Sequence, residues 1–176
     1  KYLGVDERKI NLVGRPIYDN LTTYLGGYEK QEIILNDNKQ IIFYASQPLN
    51  NLLERKRLFK GLINNLNFSK YKLLVKIHPR ENKNFFLSIL SEMNLSNYLE
   101  ENIFILDNSE MNIFKAIKIA NVVITKDSNV GAECSIFETP VLQLNINNTD
   151  LICDYEEKEI GVLVYNFKQL NRNISY

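Results

Sequence analysis

The sequence has few cysteines, no excess of charge of either sign and no long apolar run. Its 176 residues include two cysteines, Cys134 and Cys153, too few to staple a small secreted domain, so a reducing compartment such as the cytoplasm is expected. The 21 basic side chains balance 21 acidic ones, which argues against a nucleic-acid-binding protein, because such proteins usually carry a basic excess. No apolar run approaches the roughly 18 residues that a membrane-spanning helix needs.

Several signature motifs are also absent. The sequence contains neither G-x-x-x-x-G-K-[ST] nor G-x-G-x-x-G, which disfavours a P-loop nucleotidase and a dinucleotide-dependent dehydrogenase. It has no G-x-S-x-G, so an esterase is not expected. Neither cysteine has a second cysteine or a histidine at metal-ligand spacing, so we predict no metal site.

Short apolar runs instead alternate with longer segments whose apolar residues recur at helical spacing. Apolar strands that alternate with helices are typical of βαβ units, so the sequence predicts an α/β domain with a Rossmann-like, doubly wound parallel sheet of about six strands. An apolar run at 10–13 and a mixed segment at 18–40 precede it. The predicted strands are 41–45, 73–77, 103–106, 122–125, 141–144 and 162–164, and the predicted helices are 52–66, 82–93, 111–120 and 130–137.

One candidate site surrounds the only histidine, His78. In a doubly wound sheet, ligands bind beyond the carboxyl ends of the strands, which is where His78 lies. Pro79 disfavours helical backbone at His78, and in an extended segment Lys76, His78 and Arg80 project to one side. An ammonium, an imidazole and a guanidinium together suit a phosphate or diphosphate. The alternative is a solvated loop with an incidental histidine.

A second candidate site lies where a predicted strand meets a predicted helix near Ser128. Ser128 and Asp127 are good N-cap residues, and the free N–H groups and positive dipole of a helix N-terminus suit a phosphate. Asn129 and Glu133 are four residues apart and share a helix face, so Glu133 could accept hydrogen bonds from two ribose hydroxyls. The alternative is an ordinary capped helix with a solvated Glu133.

Two further segments are weaker candidates. Ser46 and Gln47 end the first central strand and could contact a donor phosphate or an acceptor, or form a simple turn. Asn108 follows the third strand and could bind a base, or belong only to a helix cap. Within the second candidate site, Gly131 has no side chain and would let the backbone or a ligand approach closely.

Two motifs and the opening segment resemble the C-terminal, donor-binding half of GT-B glycosyltransferases that make bacterial capsule, teichoic acid and lipooligosaccharide. These families, which include cytidine-nucleotide-dependent sialyl-, Kdo- and glycerophosphate-transferases, share a His-Pro motif and a later Ser-containing motif. Residues 74–80, LVKIHPR, resemble the first, and 123–133, VITKDSNVGAE, with 138–141, ETPV, resemble the second. LGV at 3–5 and INLVGRPIYD at 10–19 are similar to the family's entry from the interdomain region.

The resemblance implies a nucleotide-donor-binding domain over 41–176, preceded by an interdomain or linker segment over 1–40. The donor it implies is a CMP- or CDP-linked sugar or polyol, favoured over a UDP-linked one, with no cofactor. His78 would act on the leaving phosphate as a general acid or electrostatic clamp. The binding residues would be Ser46, Gln47, Lys76, Arg80, Asn108, Asp127, Ser128, Asn129 and Glu133.

The sequence opens on Lys1 rather than methionine, which indicates either processing or a piece of a larger protein. Together with this, the resemblance implies that the chain is the C-terminal half of a two-domain glycosyltransferase. The catalytic base and the site for a glycan or lipid-linked acceptor would lie in the N-terminal domain, so this half alone would bind nucleotide without catalysis. The whole enzyme is expected in the cytoplasm, with peripheral association at the inner face of the plasma membrane, and without a nucleic-acid partner.

Two other functions remain open. The non-hydrolysing UDP-N-acetylglucosamine 2-epimerases share the fold, and HPREN at 78–82 resembles their His-Arg-x-Glu-Asn run. The run lies one strand later than in that family, however, and the family's Gly-Gly and Glu-Glu pairs near the later helix are absent. This chain also departs from the transferase motif at one position. The transferases usually have Ser or Thr after the motif serine, and this chain has Asn129, whose amide can also donate to phosphate. The remaining alternative is a non-catalytic Rossmann-like assembly module that binds no nucleotide.

Overall fold

The computed structural model describes residues 6–9, 11, 15–21, 37–49 and 51–174. Its six strands form one parallel sheet in the order β3-β2-β1-β4-β5-β6. The chain builds outward from β1 to β3, returns to the centre for β4 and builds outward on the other side, which confirms the doubly wound topology. The strands are β1 Gln40–Ala45, β2 Tyr71–Lys76, β3 Ile103–Leu106, β4 Val122–Thr125, β5 Val141–Leu144 and β6 Val162–Val164.

Helices cover both faces of this sheet. The first four begin directly after a residue whose side chain accepts a backbone N–H, the usual way to satisfy the unpaired donors of a helix N-terminus. These N-cap residues are Asn51, Asn82, Asn112 and Ser128. The helices are α1 Leu52–Asn65, α2 Lys83–Glu92, α3 Ile113–Ile119, α4 Asn129–Cys134 and α5 Phe167–Ile174.

The apolar core has two layers because successive strand residues point to opposite faces. In β1, Ile42 and Tyr44 belong to the layer that α1, α2 and α5 cover, and Ile41 and Phe43 belong to the layer that α3 and α4 cover. Because helices cover both faces of the sheet, β1 to β5 are buried over nearly their whole length. Each fully buried aliphatic or aromatic side chain contributes about 1.5–3 kcal/mol to this core.

The predicted strands are confirmed, four of them to the residue, and β2 begins two residues earlier than predicted. The predicted helix 130–137 is α4 followed by a 3-10 turn, Ser135–Phe137. Helix α5 was not predicted, although its signal is present. Phe167, Leu170 and Ile174 recur at helical spacing, and the Asn166 side chain accepts the Gln169 N–H at 3.0 Å.

Apart from residue 11, the apolar run at 10–13 lies outside the described residues, and so does most of the segment 18–40. Within that region the structure describes a 3-10 turn at Pro16–Asn20 and the residues that lead into β1. The division of the chain at residue 40 stays a prediction. Among the described residues, no helix is both long enough and apolar enough to cross a membrane.

Candidate functional site

A cavity of about 340 Å³ opens where β1 and β4 lie side by side. This is the point at which the direction of chain progression reverses, so the loops after the two strands separate and leave a crevice. The cavity brings together six of the predicted site residues. They are Gln47, His78, Arg80, Asp127, Ser128 and Asn129.

Two roomier cavities lie away from these strand ends. One, of about 550 Å³, runs along the outer edge of β3 and is lined mainly by apolar residues such as Leu87 and Leu99. The other, of about 610 Å³, lies at the opposite, amino-terminal side of β2 and β3, against Asn67 and Asn102. Neither contains a predicted site residue, so we place the candidate site in the smaller cavity, where the polar groups converge.

His78 sits in a tight turn that orients its ring. The Glu81 N–H donates to the His78 carbonyl at 2.8 Å, and the Arg80 N–H donates to His78 Nδ1 at 3.1 Å. Nδ1 is therefore an acceptor, which assigns the proton of the neutral ring to Nε2. The imidazole can then offer Nε2–H as a hydrogen-bond donor, and the exposed Arg80 side chain adds a positive charge beside it.

Glu81 supports this turn and was not predicted as a site residue. Its side chain is fully buried and forms an ion pair with Arg55 at 2.7 Å. It accepts the Ser46 hydroxyl at 3.0 Å and the His78 N–H at 2.9 Å. Ser46 therefore faces Glu81 and does not line the cavity. The sequence gives no signal for this role, because a glutamate in a loop is usually solvated.

Gln47 and Asp127 join the ends of the two central strands. The Asp127 N–H donates to Gln47 Oε1 at 2.6 Å, and Gln47 Nε2 donates to the Asp127 carbonyl. The Asp127 carboxylate accepts the N–H groups of Ile152 and Cys153 at 2.8 and 3.2 Å. Both side chains thus line the cavity while shaping it, and the Asp127 carboxylate anchors the loop that follows β5.

That loop brings Tyr155 against the start of α4. The buried phenol donates to the Ser128 carbonyl and accepts the Ser128 N–H at 3.1 Å, and burial raises its pKa to about 12. The Tyr155 ring also fills the space beside Gly131, where a Cβ would overlap it. The expectation that a ligand or backbone uses this space is therefore wrong. No periodic pattern marks Tyr155 in the sequence.

The N–H groups at the start of α4 are only partly available to a ligand. Ser128 caps the helix, since its Oγ accepts the Val130 N–H at 3.3 Å, and the Gly131 N–H donates to the Ser128 carbonyl at 3.2 Å. Within the described part of the chain, the Asn129 N–H has no such partner, and the exposed Asn129 side chain lines the cavity. Asn129 thus offers the open donors at this end of the helix.

Lys76 does not stand beside His78 and Arg80 as the extended geometry predicted. The strand ends at Lys76, and the turn at 78–81 breaks the alternation that would have aligned the three side chains. The Lys76 ammonium is buried and donates to Asn108 Oδ1, and burial lowers its pKa to about 8. Asn108 lines a neighbouring cavity of about 480 Å³ that also contacts His78.

Glu133 also lies away from the cavity lining. Its side chain is 6% exposed and forms an ion pair with Arg15 at 2.6 Å, and the Tyr18 hydroxyl donates to the same oxygen at 3.4 Å. Burial raises the pKa of Glu133, and the Arg15 charge acts in the opposite direction. The predicted contact with ribose would require this oxygen to exchange or share its partners.

The six-stranded parallel sheet with helices on both faces is a Rossmann-like α/β domain, and solved enzyme structures share this fold. A UDP-GlcNAc 2-epimerase from Methanocaldococcus jannaschii, solved with UDP-GlcNAc and UDP, matches 98% of this chain with 21% identity and a TM-score of 0.65. The wall teichoic acid polymerase TagF also matches 98%, with 22% identity and a TM-score of 0.55. A UDP-GlcNAc 2-epimerase from Neisseria meningitidis matches 84%, with 13% identity and a TM-score of 0.55.

These similarities establish the fold of the chain. The chain spans only 49%, 44% and 38% of the three matched chains, respectively. No protein-family model matches the sequence, and no curated protein matches it.

Proposed function

We propose that this chain is the nucleotide-donor-binding domain of a GT-B glycosyltransferase that builds bacterial surface polysaccharide from a CMP- or CDP-linked donor. The observation that carries the proposal is the convergence of His78, Arg80 and the Ser128–Asn129 helix start on one cavity at the switch point of the sheet. Ligands of doubly wound sheets bind at this point, and a helix N-terminus beside cationic side chains suits a phosphate.

In this proposal the chain's own donors neutralise the leaving phosphate. His78 Nε2–H donates a hydrogen bond to it, Arg80 grips it bidentately, and the Asn129 N–H and amide complete the cradle. Asn108 lies across the His78 turn in the neighbouring cavity, where it would contact the base. Lys76 would contribute indirectly, because its ammonium donates to Asn108. Glu133 would bind the ribose hydroxyls, with its carboxylate shared between them and Arg15.

Two kinds of ligand occur in the matched structures, and both support a nucleotide-linked donor. One TagF structure is of a crystal soaked with CDPG, and epimerase structures contain UDP-GlcNAc. The proposal of a transferase is also supported by the resemblance of the sequence to the His-Pro and Ser motifs of that family. The acceptor, a glycan or a lipid-linked glycan at the inner face of the membrane, would be bound by a further domain, which would also supply the catalytic base.

Titration calorimetry of this chain with CMP, CDP and UDP tests the proposal. We expect binding, with CMP or CDP preferred over UDP, and we expect His78→Ala and Ser128→Ala each to weaken it about tenfold, since each removes a charge-assisted hydrogen bond or the cap that orders Asn129. Ser91→Ala, at an exposed position of α2, is the matched control and should bind as the unaltered chain does.

The same titration distinguishes the other functions. Binding of none of the three nucleotides, or binding that both site substitutions leave unchanged, would contradict the proposal and favour an assembly module. A 2-epimerase is the second candidate, because epimerase structures share the fold of this chain as TagF does. Tight UDP binding without a response to cytidine nucleotides, and epimerase activity of the full-length protein, would favour it.

A further inference from the structure

We propose that Glu81 is the positioning residue for His78: its buried carboxylate holds the 78–81 turn in the shape that makes Nδ1 an acceptor and leaves Nε2–H as the donor. This inference rests on the proposed function in one respect: the leaving phosphate is the group to which Nε2–H would donate. The orientation of the ring itself follows from contacts within the chain.

Glu81 closes the turn twice. Its backbone N–H donates to the His78 carbonyl at 2.8 Å, and its Oε2 accepts the His78 N–H at 2.9 Å. The backbone of His78 is therefore held by the same residue on both its donor and its acceptor side. With that backbone held, the Arg80 N–H reaches Nδ1 at 3.1 Å, and the ring has one favoured orientation and one favoured tautomer.

The other carboxylate oxygen fastens the turn to the rest of the fold. Oε1 accepts from the Ser46 hydroxyl at 3.0 Å, at the end of β1, and from Arg55 Nη2 at 2.7 Å, on α1. The Arg55 guanidinium lies over the Phe85 ring of α2, 4.3 Å from its centre. One carboxylate thus ties the His78 turn to the end of β1 and to α1, and its partner Arg55 packs in turn on α2.

A buried ion pair is a costly way to gain stability alone. Removing two charges from water carries a large desolvation cost, and well-packed apolar side chains often stabilise a protein as much as a buried ion pair does. The Arg55 Nε is moreover buried without a hydrogen-bond partner within the described residues. The pair is explained better by orientation, because a carboxylate accepts from three directions at once, which no apolar side chain can do.

Glu81→Gln tests this with almost no change of shape. The amide has one oxygen and one NH2 group, so whichever way it turns, it presents a donor either to the His78 N–H or to Ser46 and Arg55. We expect the turn to loosen and the Arg80 contact to Nδ1 to weaken. Glu92→Gln is the matched control, since Glu92 likewise forms ion pairs, with Lys56 and Lys60, but lies at the far end of α2.

The readout is the 15N NMR spectrum of the imidazole in the chain without nucleotide, and it is unambiguous because His78 is the only histidine. At a pH where the ring is neutral, the unaltered chain and Glu92→Gln should show one Nε2–H tautomer. Glu81→Gln should show averaged Nδ1 and Nε2 shifts while circular dichroism reports a folded chain. A general loss of stability would not by itself change the tautomer.

An unchanged imidazole spectrum in folded Glu81→Gln would overturn the proposal. If that variant does not fold, Glu81→Asp replaces it, because the shortened carboxylate keeps its charge but cannot span Ser46 and the His78 N–H, and the same two outcomes apply. Under the proposed function, Glu81→Gln should also weaken CDP binding about tenfold. Failure of the unaltered chain to bind CDP, CMP or UDP would contradict the proposed function while leaving the tautomer result to decide the role of Glu81.

Discussion

At the scale of single residues, the site depends on side chains that hold other groups in place. Tyr155 does so at the start of α4, where its hydroxyl is bonded to both the carbonyl and the N–H of Ser128. The Asp127 carboxylate fixes the loop from which Tyr155 projects. The start of the helix, from which Asn129 presents its donors to the cavity, is therefore ordered by a residue that lies 26 positions beyond Asn129 in the chain.

We expect Tyr155→Phe to lower the free energy of unfolding by about 1–3 kcal/mol, because it leaves the Ser128 N–H without its partner and removes one of the two donors to the Ser128 carbonyl. Urea denaturation followed by circular dichroism measures the change. Tyr165→Phe, at a position 43% exposed, is the control and should stay within about 0.5 kcal/mol. Equal effects of the two substitutions would show that the Tyr155 hydroxyl does not support the helix start.

At the scale of secondary-structure elements, the packing of one helix against another explains a glycine that helix propensity alone would not favour. Gly61 lies in the interior of α1, where alanine would ordinarily be preferred by about 1 kcal/mol. The ring of Phe167, from α5, occupies the space that a Cβ at position 61 would need. The glycine therefore permits the close approach of two helices that are far apart in the sequence.

Gly61→Ala should consequently destabilise the protein by about 1–3 kcal/mol, the usual cost of overpacking, in spite of the gain in helix propensity. In a Phe167→Leu background, which removes the ring atoms that overlap, the same substitution should be neutral or stabilising. A double-mutant cycle of urea denaturation curves measures this coupling. An equal effect of Gly61→Ala in both backgrounds would contradict the assigned contact.

At the scale of the whole molecule, the stability of the fold should depend on pH through Lys76. Burial lowers the pKa of this side chain from 10.5 to about 8 in the folded chain. Between these values the unfolded chain binds the proton and the folded chain does not, so the free energy of unfolding rises with pH. Below pH 8 both states hold the proton and this contribution is constant.

The comparison of the unaltered chain with Lys76→Met isolates this effect. We expect the difference in their free energies of unfolding to shift in favour of the unaltered chain as the pH is raised from 8 to 10.5, since Met carries no proton to release. Lys118→Met, at an exposed position of α3, should give a curve parallel to that of the unaltered chain. A parallel curve for Lys76→Met as well would contradict the lowered pKa.

The sequence by itself determined the class of the fold and the side of the sheet on which ligands would bind. Apolar runs such as 103–106 and 122–125 have no polar face, so both sets of their side chains are removed from water only in a sheet that is covered on both sides. Helices must then connect them, and the carboxyl ends of parallel strands meet at one edge. His78, Arg80 and Ser128 could be assigned to that edge on this ground alone.

Only the tertiary structure decided which polar groups are open to a ligand, because their partners are remote in the sequence. Lys76 is turned to Asn108 and Glu133 to Arg15, and no local pattern reveals either pairing. The same holds for Glu81, whose burial depends on Arg55 from α1 reaching it across the layer. The periodicity of apolar residues in the sequence indicates which side chains are excluded from water. Hydrogen-bond partners depend instead on the distances between groups in the packed sheet and helices.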